Sequence, residues 1–251
     1  MTLANISTRT LAGTGDNVLI GGFIITGTDA KKILLRALGP STGVPGAMAN
    51  PTLELHASDG HIITSNDNWQ DALNKQEIID SGIAPTNDLE SAISVILQPG
   101  NYTAIMQGAD NTTGIGVVEA YDLDRTGNSI LANISTRALV QTGDNVLIGG
   151  FIVLGSASQQ VIVRALGPST GVAGAMADPM LELHDSNGSV IGSNDNWRTD
   201  QEGTIIGIGI PPSDDAESAL VQVLAAGNYT AIVRGVNDTT GVAVVEVYAL
   251  D

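Results

Sequence analysis

The sequence predicts an all-β protein: two tandem antiparallel β-sandwiches, jelly-roll-like, of about eight strands each. Three observations carry this. The chain repeats itself, with LANISTR at Leu3–Arg9 and again at Leu131–Arg137, and SNDNW at Ser65–Trp69 and again at Ser193–Trp197. Short runs of Val, Ile, Leu and Thr are bounded by Gly, Asn, Asp and Pro at the spacing of strands and turns. Thirty glycines against two tryptophans, four tyrosines and two phenylalanines favour turns and strands over long helices.

The duplication sets the domain boundaries. Trp69 and Trp197 are 128 positions apart, whereas Glu90 and Glu217 are 127 apart, so one single-residue gap lies between them. Residues 1–124 form the first repeat, 125–130 a linker and 131–251 the second repeat. Each unit has the size of an ordinary domain. So short a linker keeps the units close together.

Taken in order, Leu3–Arg9 reads as a short first strand and Gly15-Asp16 as the turn after it. Asn17–Ile25 is a long strand whose Gly21-Gly22 pair signals a bulge, a bend or a close backbone approach. Lys31–Gly39 and its counterpart Gln159–Gly167 give a third strand. Pro51–Trp69 is a hairpin turning at Ser58-Asp59-Gly60, where glycine tolerates positive φ, and it recurs at Pro179–Trp197. Asp71–Ser81 has the pattern of a short helix. Its counterpart Thr199–Gly209 is glycine-rich and reads worse as helix, so the region is taken as a variable loop with room for a helical turn. Glu90–Gly108 supplies two strands around Pro99-Gly100, and Ile115–Leu123 is the last strand. The expected buried positions are Leu19, Phe23, Leu35, Leu53, Leu55, Ile96, Ile105, Val117 and Tyr121, with their partners in the second repeat.

Composition narrows the function. There are 27 acidic residues against 10 basic ones, a formal net charge of −17 and no cysteine. Phosphate binding needs clustered Lys and Arg, so nucleic acid is not an expected partner. No stretch approaches the ~18 apolar residues of a membrane-spanning helix, so membrane insertion is not expected either. The acidity suits solubility and attracts divalent cations. The chain enters its first repeat at Leu3, which reads as a mature chain or a piece of a longer array.

Three stretches are similar to a known family. LELHDSNGSVIGSNDNW, ESALVQVLAAGNYTAIVRG and the closing VAVVEVYAL resemble the bacterial pre-peptidase C-terminal domains, small secreted β-sandwiches. The likeness covers about the last 70 residues of each repeat. The whole unit looks like a repeat of large exported bacterial proteins. The resemblance implies an extracellular or cell-surface, non-catalytic accessory or structural domain.

Four sets of residues carry candidate chemistry. Asn66, Asp67 and Asn68 with Asp88 and Glu90, and Asn194, Asp195 and Asn196 with Asp215 and Glu217, place oxygen donors on two loops of each repeat. Calcium takes six to eight such oxygens; the competing reading is Asx-turn and capping chemistry. Trp69 and Trp197 beside these loops read as core anchors rather than sugar platforms. Arg36 and Arg164 lie in apolar strands and need carboxylate partners, with Glu119 and Glu246 as candidates and Glu54 and Glu182 as alternatives. Finally, Leu3, Asn5, Ile6 and Arg9 of the first strand form a candidate assembly strand. They pair either with the edge of the preceding domain or the next subunit, as in strand addition, or within their own unit.

There is no HExxH motif, and the three histidines His56, His61 and His184 have no cysteine to serve. The reading is a non-enzymatic structural protein forming a stalk, layer or filament, with copies of itself or neighbouring repeats as partners. The alternative is a calcium-dependent module that binds glycan or protein within a larger secreted enzyme.

Overall fold

A computed structural model describes residues 2–250, the side chains of Thr2, Ala4 and Ile6 excepted. The first repeat contributes β1 (Thr2–Ala12), β2 (Leu19–Gly27), β3 (Lys31–Leu38), β4 (Pro51–Ala57), β5 (Ile62–Asn66), β6 (Ser91–Leu97), β7 (Gly100–Gly108) and β8 (Gly114–Asp122). The second contributes β9 (Ser129–Val140), β10 (Leu147–Leu154), β11 (Gln159–Leu166), β12 (Pro179–His184), β13 (Val190–Asn194), β14 (Ser218–Leu224), β15 (Gly227–Gly235) and β16 (Gly241–Leu250). Two short helices, α1 (Lys75–Asp80) and α2 (Glu202–Ile208), follow β5 and β13. Eight strands per repeat, all paired antiparallel, match the predicted class.

Within each repeat the strands form two sheets of four. In the first these are β5-β4-β7-β2 and β6-β3-β8-β1. They pack face to face, β3 and β6 over β4, with β5 meeting β6 at the outer end. The second repeat repeats the plan. The two sandwiches then join edge to edge. β2 pairs with β9 and β1 with β10, so both sheets continue across the boundary as eight-stranded sheets. One apolar cluster runs through both repeats, from Leu19, Leu35, Leu53 and Leu55 to Leu147, Val163, Leu181 and Leu183.

Local sequence explains the strands. β4 and β12 alternate strictly, with Leu53 and Leu55, or Leu181 and Leu183, turned inward. β3 does not alternate: Ile33, Leu34 and Leu35 are all buried. Its outer face is covered by Trp69 and Ile78 of α1, packed on Leu34 and Ala92, so it needs apolar residues on both sides. The glycine pair in β2 is a close approach: a Cβ on Gly21 would lie 3.1 Å from Val118 Cγ1 of the facing sheet.

Several expectations need correction. Ile96 is exposed, at 68%, because Ile93 and Leu97 take the inward positions of β6. Ile105 and Tyr121 are half-buried; in β7 it is Ala104 and Met106 that face the core. The first strand is not short, running eleven residues. The expected linker already enters β9 at Ser129. The glycine-rich stretch Thr199–Gly209 contains the helix α2, because Ile205 is fully buried in a cluster with Ile162 and Trp197. Tertiary packing there outweighs the ~1 kcal/mol that a helical glycine costs.

That cluster predicts a contrast. Replacing Ile205 by Ala should cost about 2–5 kcal/mol, whereas Val223→Thr on exposed β14 surface should stay within about 0.5 kcal/mol. Urea midpoints of the two variants check this.

Candidate assembly junction

The junction between the repeats has near-perfect internal symmetry. Arg9 opposes Ile148 in the β1–β10 pair, and the equivalent residues Arg137 and Ile20 oppose one another in β2–β9. Equivalent residues also meet across the axis. Leu3 pairs with Leu131, and the hydroxyls of Thr8 and Thr136, 128 residues apart, are 2.6 Å from each other in a buried hydrogen bond. The contact is therefore isologous: the same patch of each repeat faces itself.

The predicted assembly strand lies at this junction. Leu3 is fully buried and Asn5 nearly so. Arg9 is half-buried. Ile6 pairs through its backbone with Phe151 and Ala120, and its side chain lies outside the described residues. One edge of β1 pairs within its own repeat, to β8, as one reading has it; the other pairs with β10 of the following repeat, while its copy β9 pairs with β2 of the preceding one. The buried polar residues Asn5, Thr8, Thr10, Asn133 and Thr136 sit in this seam. A strand shifted by one residue would put them against the wrong face. Phe23 and Phe151, which flank the seam, stack on Tyr102 and Tyr229 at 5.5 and 5.7 Å.

The linker is tied down as well. Asn128 N–H donates to the Asp29 carboxylate at 2.8 Å. Ser129 Oγ donates to the Asp29 carbonyl at 2.6 Å and accepts the Asp29 N–H at 2.9 Å. The bond from Asn128, and then that from the Thr28 hydroxyl, hold the Asp29 carboxyl below its ordinary range.

At the outer ends of the sandwich, side-chain amides occupy the free edges of β6 and β14. Asn66 Oδ1 accepts the Ala92 N–H at 3.0 Å, and Asn74 donates to the Ser94 carbonyl at 2.7 Å. At the far end Asn194 accepts the Ala219 N–H, and Gln201 bonds both the N–H and the C=O of Val221 at 2.8 and 3.0 Å. Each amide imitates one residue of a missing strand. Next to these caps lie grooves of about 440 Å³ beside Ile63, Leu73 and Asn74 and of about 280 Å³ beside Gly192 and Gln201.

The oxygen-rich corners are built into the fold. Glu90 is fully buried and accepts the N–H groups of Gly39 and Ser41 at 2.9 Å and the Ser41 hydroxyl at 2.7 Å. Glu217 does the same for Gly167 and Ser169. Asn66 and Asn194 also donate to the carbonyls of Asn68 and Asn196. The Asp67 and Asp195 carbonyls accept from Ser91 and Ser218. Asp88 accepts from Gln70, and Asp215 pairs with Arg198. Trp69 and Trp197 are core anchors, donating their indole N–H to the carbonyls of Asn87 and Asp214 at 3.1 Å. No group of three His, Cys, Asp or Glu among the described residues is arranged around a cation. Three side-chain oxygens near these corners are buried without a partner: Asn50 Oδ1, Asn68 Oδ1 and Asp178 Oδ1. Burial, and then the charge of Asp195, raises the Asp178 carboxyl above its ordinary range.

The structure chooses Glu119 and Glu246 as partners of the strand arginines. Arg36 Nε donates to Glu119 at 2.8 Å, its Nη1 to the Ile83 carbonyl at 2.6 Å, and its Nη2 to both Glu119 and Tyr121. Arg164 does likewise with Glu246, Ile210 and Tyr248. Burial, and then the Glu119 charge, pushes the Tyr121 hydroxyl up to about 12. Glu54 and Glu182 instead hold His56 and His184, whose other ring nitrogens reach the turn carbonyls of Gly60 and Gly188. One buried pair escaped the sequence reading. Lys31 and Asp122, each 2% exposed, are 2.7 Å apart. The two copies held a signal for it, since both members change together, to Gln159 and Ala249.

No protein-family model and no curated protein matches the chain. Among solved structures it is similar to the crystal structure of the STIV MCP, at 13% identity and a TM-score of 0.25 over 99% of this chain and 88% of that one. A second match is the atomic structure of Sulfolobus turreted icosahedral virus, at 12% identity and a TM-score of 0.25 over 97% and 90%. A third is the M60 catalytic domain with two CBM51 domains from Clostridium perfringens ZmpB, at 6% identity and a TM-score of 0.24 over 96% and 38%. At these scores the likenesses carry no functional argument.

The junction and the arginine cluster each give a measurable outcome. Thr8→Val strands the Thr136 hydroxyl in a buried site and should cost about 1–3 kcal/mol, while T8V with T136V together should cost less than the sum; a double-mutant cycle from denaturant unfolding reads the coupling. In an absorbance titration Tyr121 should ionise near pH 12, against 10 for a free tyrosine. Its folded value is the raised one. The stability it contributes is therefore complete below pH 10 and falls as the pH climbs toward 12.

Proposed function

We propose that this chain is a non-catalytic structural building block of the bacterial cell exterior, a pair of joined β-sandwich repeats that builds a stalk, layer or filament. The observation that carries this reading is the isologous junction, through which one repeat extends both sheets of the other. A repeat able to continue its neighbour's sheets through an edge that faces itself is a unit for assembly. The high negative charge keeps such a unit soluble before assembly. The likeness to pre-peptidase C-terminal domains supports an extracellular setting. No helix among the described residues is long and apolar enough to cross a membrane. Negative-stain electron microscopy across a concentration series tests the reading: regular fibres or sheets are the expected result, and isolated two-lobed particles at every concentration would overturn it.

One observation favours a second reading, a calcium-dependent binding module. In the second repeat the unpartnered oxygen of Asp178 has Asp195 close enough to raise it, and at the equivalent corner of the first repeat the oxygens of Asn50 and Asn68 are unpartnered, so each repeat offers its own oxygens that a cation would satisfy. Calcium should then raise the melting temperature of the intact protein, and Asp178→Asn should abolish that rise. The sign without calcium runs the other way. A raised carboxyl pKa means the charged form is disfavoured in the fold, so D178N should melt no lower than the parent at neutral pH in chelator. Calorimetry with and without calcium measures both, and a calcium response unchanged in D178N would remove the site.

A further inference from the structure

We infer that the junction inside this chain is also the contact between chains: a second copy opens it and pairs its own repeat into the freed edges, linking molecules end to end. The inference rests on the building-block reading above and names the surface that does the building. Four observations carry it. Each repeat is a complete sandwich of four strands over four, so separating the repeats exposes strand edges and opens the shared apolar cluster at the seam, but breaks no strand pairing inside either sandwich. The junction is isologous, with Thr8 against Thr136 and Leu3 against Leu131, so a first or a second repeat from another molecule presents the same edges in the same register. The outer edges β6 and β14 are already occupied by the amides of Asn66, Asn74, Asn194 and Gln201, which cover them against strand addition. The other outer edges, β5 and β13, are strands of only five residues, whereas β1, β2, β9 and β10 run eight to twelve residues and are the edges long enough for pairing. Lastly, only residues 123–128 join β8 to β9, and their docking on Asp29 must be released for the repeats to part.

Closed and linked forms make the same contacts, so concentration decides between them. The tether gives the closed form a high effective concentration, and chain linking takes over when the real concentration exceeds it. Each chain has two equivalent halves, and an open chain therefore has two sticky ends, the condition for a linear polymer rather than a closed dimer.

The chain has no cysteine, so introduced thiols report cleanly. The hydroxyl separation of 2.6 Å at Thr8 and Thr136 places two sulfurs at those positions within reach of an S–S bond of about 2.05 Å. The full-length T8C/T136C variant, oxidised as a dilute monomer, should give an intrachain disulfide. An equimolar mixture of the single variants T8C and T136C, assembled at high concentration or by refolding from denaturant and then oxidised, should give covalent dimers on a non-reducing gel. The dilute mixture should give none. Assemblies visible by electron microscopy but without covalent dimers would overturn this inference and leave the building-block reading standing, since another surface would then hold the chains. No assembly under any condition would overturn both. An absent intrachain bond in the dilute double variant, with its melting temperature unchanged, would overturn the junction itself.

Discussion

Unpaired strand edges are the constraint from which the rest of this structure follows. A sandwich of four strands over four has four edges, and each exposes a row of N–H and C=O groups that must find partners. Each repeat deals with its edges in two ways. The inner pair, β1 and β2 or β9 and β10, is satisfied by the other repeat. At the outer end the amides of Asn66 and Asn74, or of Asn194 and Gln201, occupy β6 or β14, and β5 or β13 is kept to five residues. The side chains that look most like metal ligands in the sequence are in part edge caps, placed there by this requirement.

The same requirement explains why the interior carries so much polarity. Asn5, Thr8, Thr10, Asn133 and Thr136 are buried in the seam, where aliphatic residues would pack as well and allow slippage. A pleat has a period of two, so a one-residue slip would turn every side chain to the wrong face. Hydroxyl pairing at the axis fixes the register that both eight-stranded sheets depend on. Away from the seam, polarity is spent on fastening loops to the sandwich. Glu90 and Glu217 gather the N–H groups of the loop after the third strand. Arg36 and Arg164 bind Glu119 and Glu246 on one strand and the carbonyls of Ile83 and Ile210 on the helix-bearing loop.

Much of this was legible in one sequence because it is local or duplicated. The hairpin at Pro51–Trp69, the eight strands per repeat, the tryptophan anchors and the Arg36–Glu119 and Arg164–Glu246 pairs all follow from alternation, turn chemistry and the rule that a charge in an apolar strand needs a partner. Comparison of the copies even holds the Lys31–Asp122 pair, which vanishes as a unit in the second repeat. Illegible were features whose cause lies far away in the chain. Ile96 is apolar yet exposed, because its neighbours occupy the inward positions of an edge strand. The glycine-rich stretch before α2 is helical because Ile205 has a place to go against Trp197.

The sequence by itself determined the all-β class, the two repeats, the position of nearly every strand and the residue types that must be paired when buried, since these depend on periodicity, turn propensity and desolvation over a few residues. Tertiary structure alone decided that the repeats meet edge to edge about a pseudo-twofold axis, that Thr8 faces Thr136, and that Glu90 and Glu217 point at backbone amides. Those outcomes depend on which of several equally hungry strand edges are brought together, a choice made by the packing of two whole sandwiches and written in no single stretch of residues.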